Sequence, residues 1–387
     1  MKLLIISNMA HYIRDDQVVG WGPAVEEINY LSRLFSEIRH VGCLQKTTAP
    51  VTALPYLLDN IKLIPVPPAG GEYFAAKVGI LRLIPLYLDT ILKELKWADV
   101  VHVRCPANIG IVAIVLLALK IKPQLRWVKY AGAWKPDEPE SWSFRFQRWW
   151  LNRGFHRGVV TVNGRWADQP DHVYSFLNPC LSNTELTLAT SLALEKKWEP
   201  PYRLLYVGQL NPSKGVDRVL KIFYNLRLQG IDVFLDLIGD GPNRREYEKL
   251  SEETGIADRV TFHGWVSHPS LGPYYEKAHF MIFPSDHEGW PKVLSEAMAR
   301  GTIPIASAVG SVAQVLSELK CGIALPPKNI DAFVNATLSY IQDFERCQVE
   351  SRFGVVVARH FTYESYLESV KGMFLRAWSI KLVDSHE

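Results

Sequence analysis

At 387 residues the chain is long for one folded body and comfortable for two, and 48% hydrophobic with 21% charged residues is a globular composition that excludes long disordered tails. A formal charge of +3, with no run of five or more like charges, sets nucleic-acid binding aside. The five cysteines are odd in number, widely spaced and never in a CxxC pair, so they read as reduced buried thiols of a cytoplasmic protein and suggest no metal cage.

Met1-Lys2 runs straight into Leu3–Ile6, which is too short and too early for a signal peptide and reads as a first buried strand; export is not expected. Gly20-Trp21-Gly22-Pro23 then leads into a predicted helix with Val25, Ile28, Leu31, Phe35 and Ile38 on one face. Gly22 with Pro23 in the first turn would present unsatisfied backbone N–H groups, although a glycine turn of this kind is common enough to be coincidence. Apolar runs at Val100–Val103, Arg126–Tyr130 and Val159–Val162 read as further strands. The longest such run, Ile109 to Leu119, falls well short of the roughly 20 residues that span a bilayer and reads as a core helix.

The segment Phe144-Arg145-Phe146-Gln147-Arg148-Trp149-Trp150-Leu151-Asn152-Arg153 reads first as an amphipathic helix with its tryptophans in the core and its arginines in water. The second reading is an interfacial membrane contact, which would place the protein at the inner face of the membrane. A polar, proline-bounded stretch from Leu177 to Pro201 follows, and it is read as a linker that neither sheet needs.

The second half repeats the alternation, with strands expected at Arg203–Val207, Val233–Ile238, Val260–Phe262, Phe280–Phe283 and Ile303–Ala306. The whole is therefore α/β: two Rossmann-like, doubly wound parallel sheets facing each other across a cleft. The expected division is residues 1–180 for an N-terminal Rossmann-like domain, 200–360 for a C-terminal Rossmann-like domain and 361–387 for a C-terminal helix packing back on the first. That helix has Thr362 as its cap and Leu367, Val370, Phe374 and Leu375 on one face.

Four pieces of the second half carry chemistry. Phe283 to Gly301 reads strand, loop, helix, stop, with Pro291 in the first helical turn, so the loop Asp286–Trp290, including Gly289 and Trp290, would offer backbone N–H groups to a phosphate. Glu288 on that loop and Glu296 in the helix are placed to accept hydrogen bonds from sugar hydroxyls; taken alone they read equally well as solvated acids. In Tyr206-Val207-Gly208-Gln209-Leu210-Asn211-Pro212-Ser213-Lys214-Gly215, Lys214 stands at a helix start, which disfavours a cation unless an anion is near; the alternative is an exposed lysine. Gly239-Asp240-Gly241-Pro242 would allow close backbone approach to a base or ribose, and Phe262-His263-Gly264-Trp265-Val266 would present backbone groups to a base edge, with His263 as readily a core histidine.

Together these pieces resemble the GT-B, family-4-type glycosyltransferases of the group 1 set, across essentially the whole second half. Glu288 and Glu296 form the Glu-x7-Glu element, followed by Ala297-Met298-Ala299-Arg300-Gly301. The Val-Gly-x-Leu…Lys-Gly, Gly-Asp-Gly-Pro and Phe-x-Gly elements precede it in the family's order. The resemblance implies that Glu288 contacts the donor sugar, Glu296 the ribose and Lys214 the diphosphate, with Gly22 near the leaving group and Gln209, Gly239, Val266, Gly289 and Trp290 lining the nucleotide site. It also implies retaining hexosyl transfer from a nucleotide-diphosphate sugar to a sugar or lipid-linked sugar acceptor, in cell-surface polysaccharide or glycolipid assembly, with no cofactor and no metal. Two departures stand out. Gln209 occupies the position where the family usually has an arginine, for which Lys292 is a substitute cation. No catalytic histidine is marked near Val128–Trp134, which leaves His11 and His102 as weak candidates. The rival readings are a non-catalytic nucleotide-sugar-binding subunit and a nucleotide-sugar epimerase or hydrolase. A dehydrogenase is disfavoured because no GxGxxG follows a strand.

Overall fold

The computed structural model describes residues 1–68, 74–136 and 139–384, with backbone alone for residues 74–81. The chain forms two compact units, the first built mainly from residues before Leu177 together with Tyr366 onward, the second mainly from Leu177–Ser365.

Among the described residues the first unit holds a nine-stranded sheet: β1 (Lys2–Arg14), β2 (Gln17–Trp21), β3 (Glu37–Leu44), β4 (Ala53–Pro55), β5 (Ile61–Val66), β6 (Val100–Cys105), β7 (Leu125–Tyr130), β8 (Val159–Asn163) and β9 (Val173–Phe176). Its parallel body runs β5-β3-β1-β6-β7-β8-β9. Strand β1 continues past that body, and its far end pairs antiparallel with β2 through a turn in which Asp15 and Asp16 both take positive φ. The strands are apolar on both faces because helices cover both: α1 (Gly22–Leu31), α2 (Phe74–Trp97), α3 (Asn108–Leu119) and α4 (Trp142–Asn152).

The second unit has a six-stranded parallel sheet among the described residues, from β10 (Tyr202–Val207), β11 (Val233–Ile238), β12 (Val260–Gly264), β13 (Phe280–Phe283), β14 (Ile303–Ser307) and β15 (Ile323–Leu325), in the order β12-β11-β10-β13-β14-β15. Around it stand α5 (Asn183–Leu194), α6 (Val216–Leu228), α7 (Arg244–Glu253), α8 (Gly272–Lys277), α9 (Lys292–Ala299), α10 (Val312–Leu319), α11 (Ile330–Ile341) and α12 (Phe344–Ala358). The last helix, α13 (Tyr363–Trp378), starts in the second unit and ends in the first. Thr362 caps it by accepting from the Ser365 N–H at 3.2 Å. Leu367, Val370 and Phe374 are buried against the core of the first sheet, where Phe374 meets Phe35 with ring centroids 6.0 Å apart.

The structure corrects four sequence expectations. The helix after Gly22 stops at Leu31; Ile38 lies in β3, which is held between β1 and β5, so a strand interrupts a spacing that also suits a helix. The stretch after Leu177 is no bare linker: Ser182 and Glu185 form a reciprocal capping box that starts α5, and Ala189 and Ala193 are buried. On α4 the buried residues are Gln147 and Leu151, while Trp142 and Trp149 stand in solvent. Leu375 is exposed, unlike its neighbours on α13.

Candidate functional site

The loops after β10, β11, β12 and β13 leave the carboxyl ends of four adjacent parallel strands, the edge at which such sheets take ligands. After β10, the ladder continues for two further bonds, Gly208 N–H to Ile238 O and Leu210 N–H to Asp240 O, each 2.9 Å. Gly239 is required here: its φ is +126°, and a Cβ would lie 1.9 Å from the Gly208 carbonyl oxygen. Gly239 also donates its N–H to Gly264 O at 2.9 Å, so the segments leading to Gln209, Gly239 and Val266 are neighbours. Gln209 is exposed and its Oε1 accepts from Asn211 Nδ2 at 3.0 Å, while Val266 is half-buried against the core.

Asn211 caps a single 3-10 turn, Pro212–Lys214, by accepting from the Lys214 N–H at 3.1 Å, and Gly215, at φ +71°, turns the chain into α6. The loop after β13 lies directly against this corner. A Cβ on Gly215 would meet the Pro284 carbonyl oxygen at 2.3 Å, and the Asp286 N–H is already bonded to Ser213 O at 2.9 Å, which removes one of the donors expected to be available to a phosphate. Lys214 Nζ reaches Glu288 Oε1 at 2.5 Å, and the same carboxylate oxygen accepts from Ser285 Oγ at 2.8 Å. Beside this pair Arg218 bonds Pro284 O at 2.7 Å and forms an ion pair with Asp286 at 2.9 Å. Two cations and two acids thus lie side by side, all largely shielded from water. From the other side, Ser311 grips the Gly289 carbonyl with both its N–H (3.1 Å) and its hydroxyl (2.8 Å).

Glu296 is placed differently from expectation. It is buried, its Oε2 accepting from Tyr275 OH at 2.7 Å and its Oε1 lying 3.3 Å from His268 Nε2. Burial alone would raise its carboxyl, but the His268 and Tyr275 hydrogen bonds and the Arg300 charge together hold it below the usual carboxylate range. The Trp290 side chain is also occupied: it stacks on Phe361 at 5.4 Å and donates to Ser295 Oγ at 2.8 Å, leaving its backbone for any ligand.

These loops fall in the part of the chain that matches known proteins. Residues 193–352 match the family described as glycosyl transferases group 1. Alpha-D-kanosaminyltransferase of Streptomyces kanamyceticus is 30% identical to it over 142 residues, 37% of each protein. Lipopolysaccharide 1,2-N-acetylglucosaminetransferase of Salmonella typhimurium is 27% identical over 184 residues, 44% of this chain and 48% of that protein. The chain thus spans less than half the length of these curated relatives in the match. Sucrose-phosphate synthase from Thermosynechococcus elongatus superposes with a TM-score of 0.73 at 19% identity, covering 97% of this chain and 98% of that one. Anabaena HepE in complex with UDP gives a TM-score of 0.64 at 14% identity over 97% and 100%. The two parallel-sheet units are of the GT-B fold.

Within this group 1 segment, Arg218, Ser311 and His268 escaped the sequence reading. Arg218 carried the same signal as Lys214, a cation in the first turn of a helix. Ser311 and His268 carry none, because their partners come from segments distant in sequence. In the first unit, Gly22 begins α1, where a Cβ would meet Thr52 O at 2.7 Å. His11 and His102 are fully buried; burial lowers the His11 imidazole to about 4, and the His102 ring lies tilted against Trp127 with centroids 3.8 Å apart. Lys129, from the stretch expected to hold a histidine, reaches both oxygens of buried Glu27 at 2.8 Å, with Tyr366 OH at 3.1 Å and Arg104 at 3.3 Å.

Proposed function

We propose that the chain is a family-4-type glycosyltransferase that moves a sugar from a nucleoside-diphosphate sugar to a hydroxyl acceptor, with retention of configuration at the anomeric carbon. The observation that carries this reading is the contact of Lys214 with Glu288, which joins the loops after β10 and β13 inside the group 1 segment. A diphosphate at Lys214 competes with Glu288 for the ammonium and releases the carboxylate to accept from hydroxyls of the donor sugar. The start of α9 adds its unsatisfied N–H groups and the positive end of its dipole. Arg218, Ser285 and Ser311 hold the loop in place and so position these groups.

In the proposed step the bond from the anomeric carbon to the diphosphate oxygen breaks while the bond to the acceptor oxygen forms on the same face. The acceptor proton passes to the departing phosphate oxygen, and the cations stabilise the charge that develops there. Neither a protein nucleophile nor a metal ion takes part. HepE was crystallised with UDP, and a relative from Mycobacterium tuberculosis is named as GDP-mannose-dependent, so both donor families belong in the test. The names of the lipopolysaccharide and phosphatidylinositol relatives support an acceptor in glycolipid or cell-surface polysaccharide assembly.

The test is incubation with UDP-, GDP- and ADP-sugars and a panel of glycolipid acceptors, with and without a chelator, and NMR of the product's anomeric proton. A product with the donor's configuration, formed at the same rate with chelator, is expected; an inverted product contradicts the mechanism.

A further inference from the structure

We propose that the first unit docks on an anionic lipid surface through a face formed by α4 and the loop after α3. This rests on features of the first unit and not on the donor chemistry proposed above.

Along α4 the aromatic rings form a continuous ladder: Trp142 stacks on Phe146 (5.5 Å), Phe146 meets Trp149 (6.0 Å) and Trp150 (5.5 Å), and both tryptophans meet Phe155 (5.4 and 5.0 Å). Trp150 packs on the core of the first sheet, but the outer rings do not. Trp142 is 74% exposed, Trp149 50% and Phe155 42%. The loop after α3 adds Leu119 and Ile121, each 77% exposed. The buried Arg126 guanidinium makes the two segments neighbours: it donates to the carbonyls of Leu117 (2.6 Å), Lys120 (2.6 Å) and Pro123 (2.7 Å) on one side and of His156 (3.0 Å) on the other. Trp150 Nε1 bonds Ile114 O at 3.2 Å and ties α4 to α3 along its length. Fixed backbone under an exposed apolar surface marks a built contact face.

Charge identifies the occupant. From Val100 to Pro136 the chain has six Lys or Arg and no acid, and from Ser141 to Ala167 it has five Arg and no acid; of the acids between these stretches, Asp137, Glu138 and Glu140, the last is paired with Arg148. Lys120, Lys122, Arg145, Arg153 and Arg157 are exposed around the aromatic ladder, and none of them makes an ion pair among the described residues. A second copy of the chain would bring the same five positive charges against them, which disfavours self-association. An interface with anionic headgroups satisfies both halves of the pattern, with indole and aliphatic groups at the headgroup boundary and cations on lipid phosphates.

The experiment is flotation of the full chain with phosphatidylcholine vesicles, alone and with about 30% phosphatidylglycerol. Two variants of exposed residues are compared with wild type: Trp142→Ser with Trp149→Ser, and Arg145→Gln with Arg153→Gln and Lys122→Gln. Thermal unfolding midpoint and nucleotide binding serve as controls, so that failure here leaves the donor-site proposal standing. Expected are binding to the anionic vesicles, at least about tenfold weaker binding to neutral ones, and a loss of about tenfold in each variant with unchanged controls. Wild type that floats with neither vesicle, or variants that float as well as wild type, would overturn the proposal. So would a dimer that the tryptophan substitutions dissociate in a protein that binds no vesicle.

Discussion

Lys214 Nζ and Glu288 Oε1 lie 2.5 Å apart although 74 residues separate them, and each is fixed by its own loop: Asn211 caps the turn that carries Lys214, and Ser285 bonds the carboxylate of Glu288. The two predictions for this pair differ in kind. Lys214→Ala removes a charge-assisted contact to phosphate, so nucleoside diphosphate affinity falls by about ten- to a hundredfold. Glu288→Gln keeps the shape but loses the anionic acceptor, so nucleotide affinity stays within about threefold while transfer falls by about a hundredfold or more. Calorimetric titration and initial rates separate the two effects.

Arg218 holds the loop after β13. It is largely buried, bonds the Pro284 carbonyl at 2.7 Å and pairs with Asp286 at 2.9 Å, so Arg218→Leu strands a shielded carboxylate and a carbonyl. A loss of about 2–4 kcal/mol in unfolding free energy is expected, with weaker nucleotide binding. Arg218→Lys recovers only part of it, because an ammonium cannot span both acceptors in one plane. Denaturant unfolding of both variants checks the order.

Gly239→Ala combines a φ of +126° with a Cβ only 1.9 Å from Gly208 O. The cost is about 3 kcal/mol or more, and it falls on the junction of the loops after β10 and β11. A lower melting temperature with weakened nucleotide binding is expected. Gly230→Ala also sits at positive φ but meets nothing within 4 Å, so it costs about 1 kcal/mol.

Acid sensitivity follows from His279. Its Nδ1 accepts from the Arg203 N–H at 2.9 Å, so the ring proton is on Nε2, which donates to Lys197 O at 2.8 Å; only the neutral ring fits. Burial lowers this imidazole from its ordinary 6.5 to about 4. The unfolded chain takes the proton first, so the stability this contributes is complete above pH 6.5 and is lost as the pH falls from there toward 4. Melting temperature against pH should fall across that window, and His279→Gln should remove one share of the slope, because burial lowers His11 and His156 to about 4 as well.

Much of the fold was readable where strands are continuous apolar runs buried on both faces, as in Val100–Val103 and Phe280–Phe283. Strands β2, β4 and β9 are short, and β15 is only half-buried, so they lack that signature. Phe35 and Ile38 fit a helix spacing, but α1 ends at Leu31 and β1 and β5 hold Ile38 in β3, which no local pattern reveals. At the site, the strand-loop-helix units after β10 and β13 were legible, but the contact of Lys214 with Glu288 was not, because the two loops are brought together only by the pairing of β10 with β13. The engagement of Glu296 by Tyr275 and His268 was not, because it depends on where α8 and its preceding turn settle. Nor was the exposure of Trp142 and Trp149: hydrophobic residues on a helix predict burial unless the sequence also says what the helix packs against.

The most direct measurement is calorimetric titration of UDP, GDP and ADP, without added metal, into wild type and Lys214→Ala. The proposed donor site predicts that one of the three binds wild type and binds the variant at least about tenfold more weakly, while the variant still unfolds cooperatively. Equal binding to both proteins, or no binding to wild type by any of the three, would contradict it.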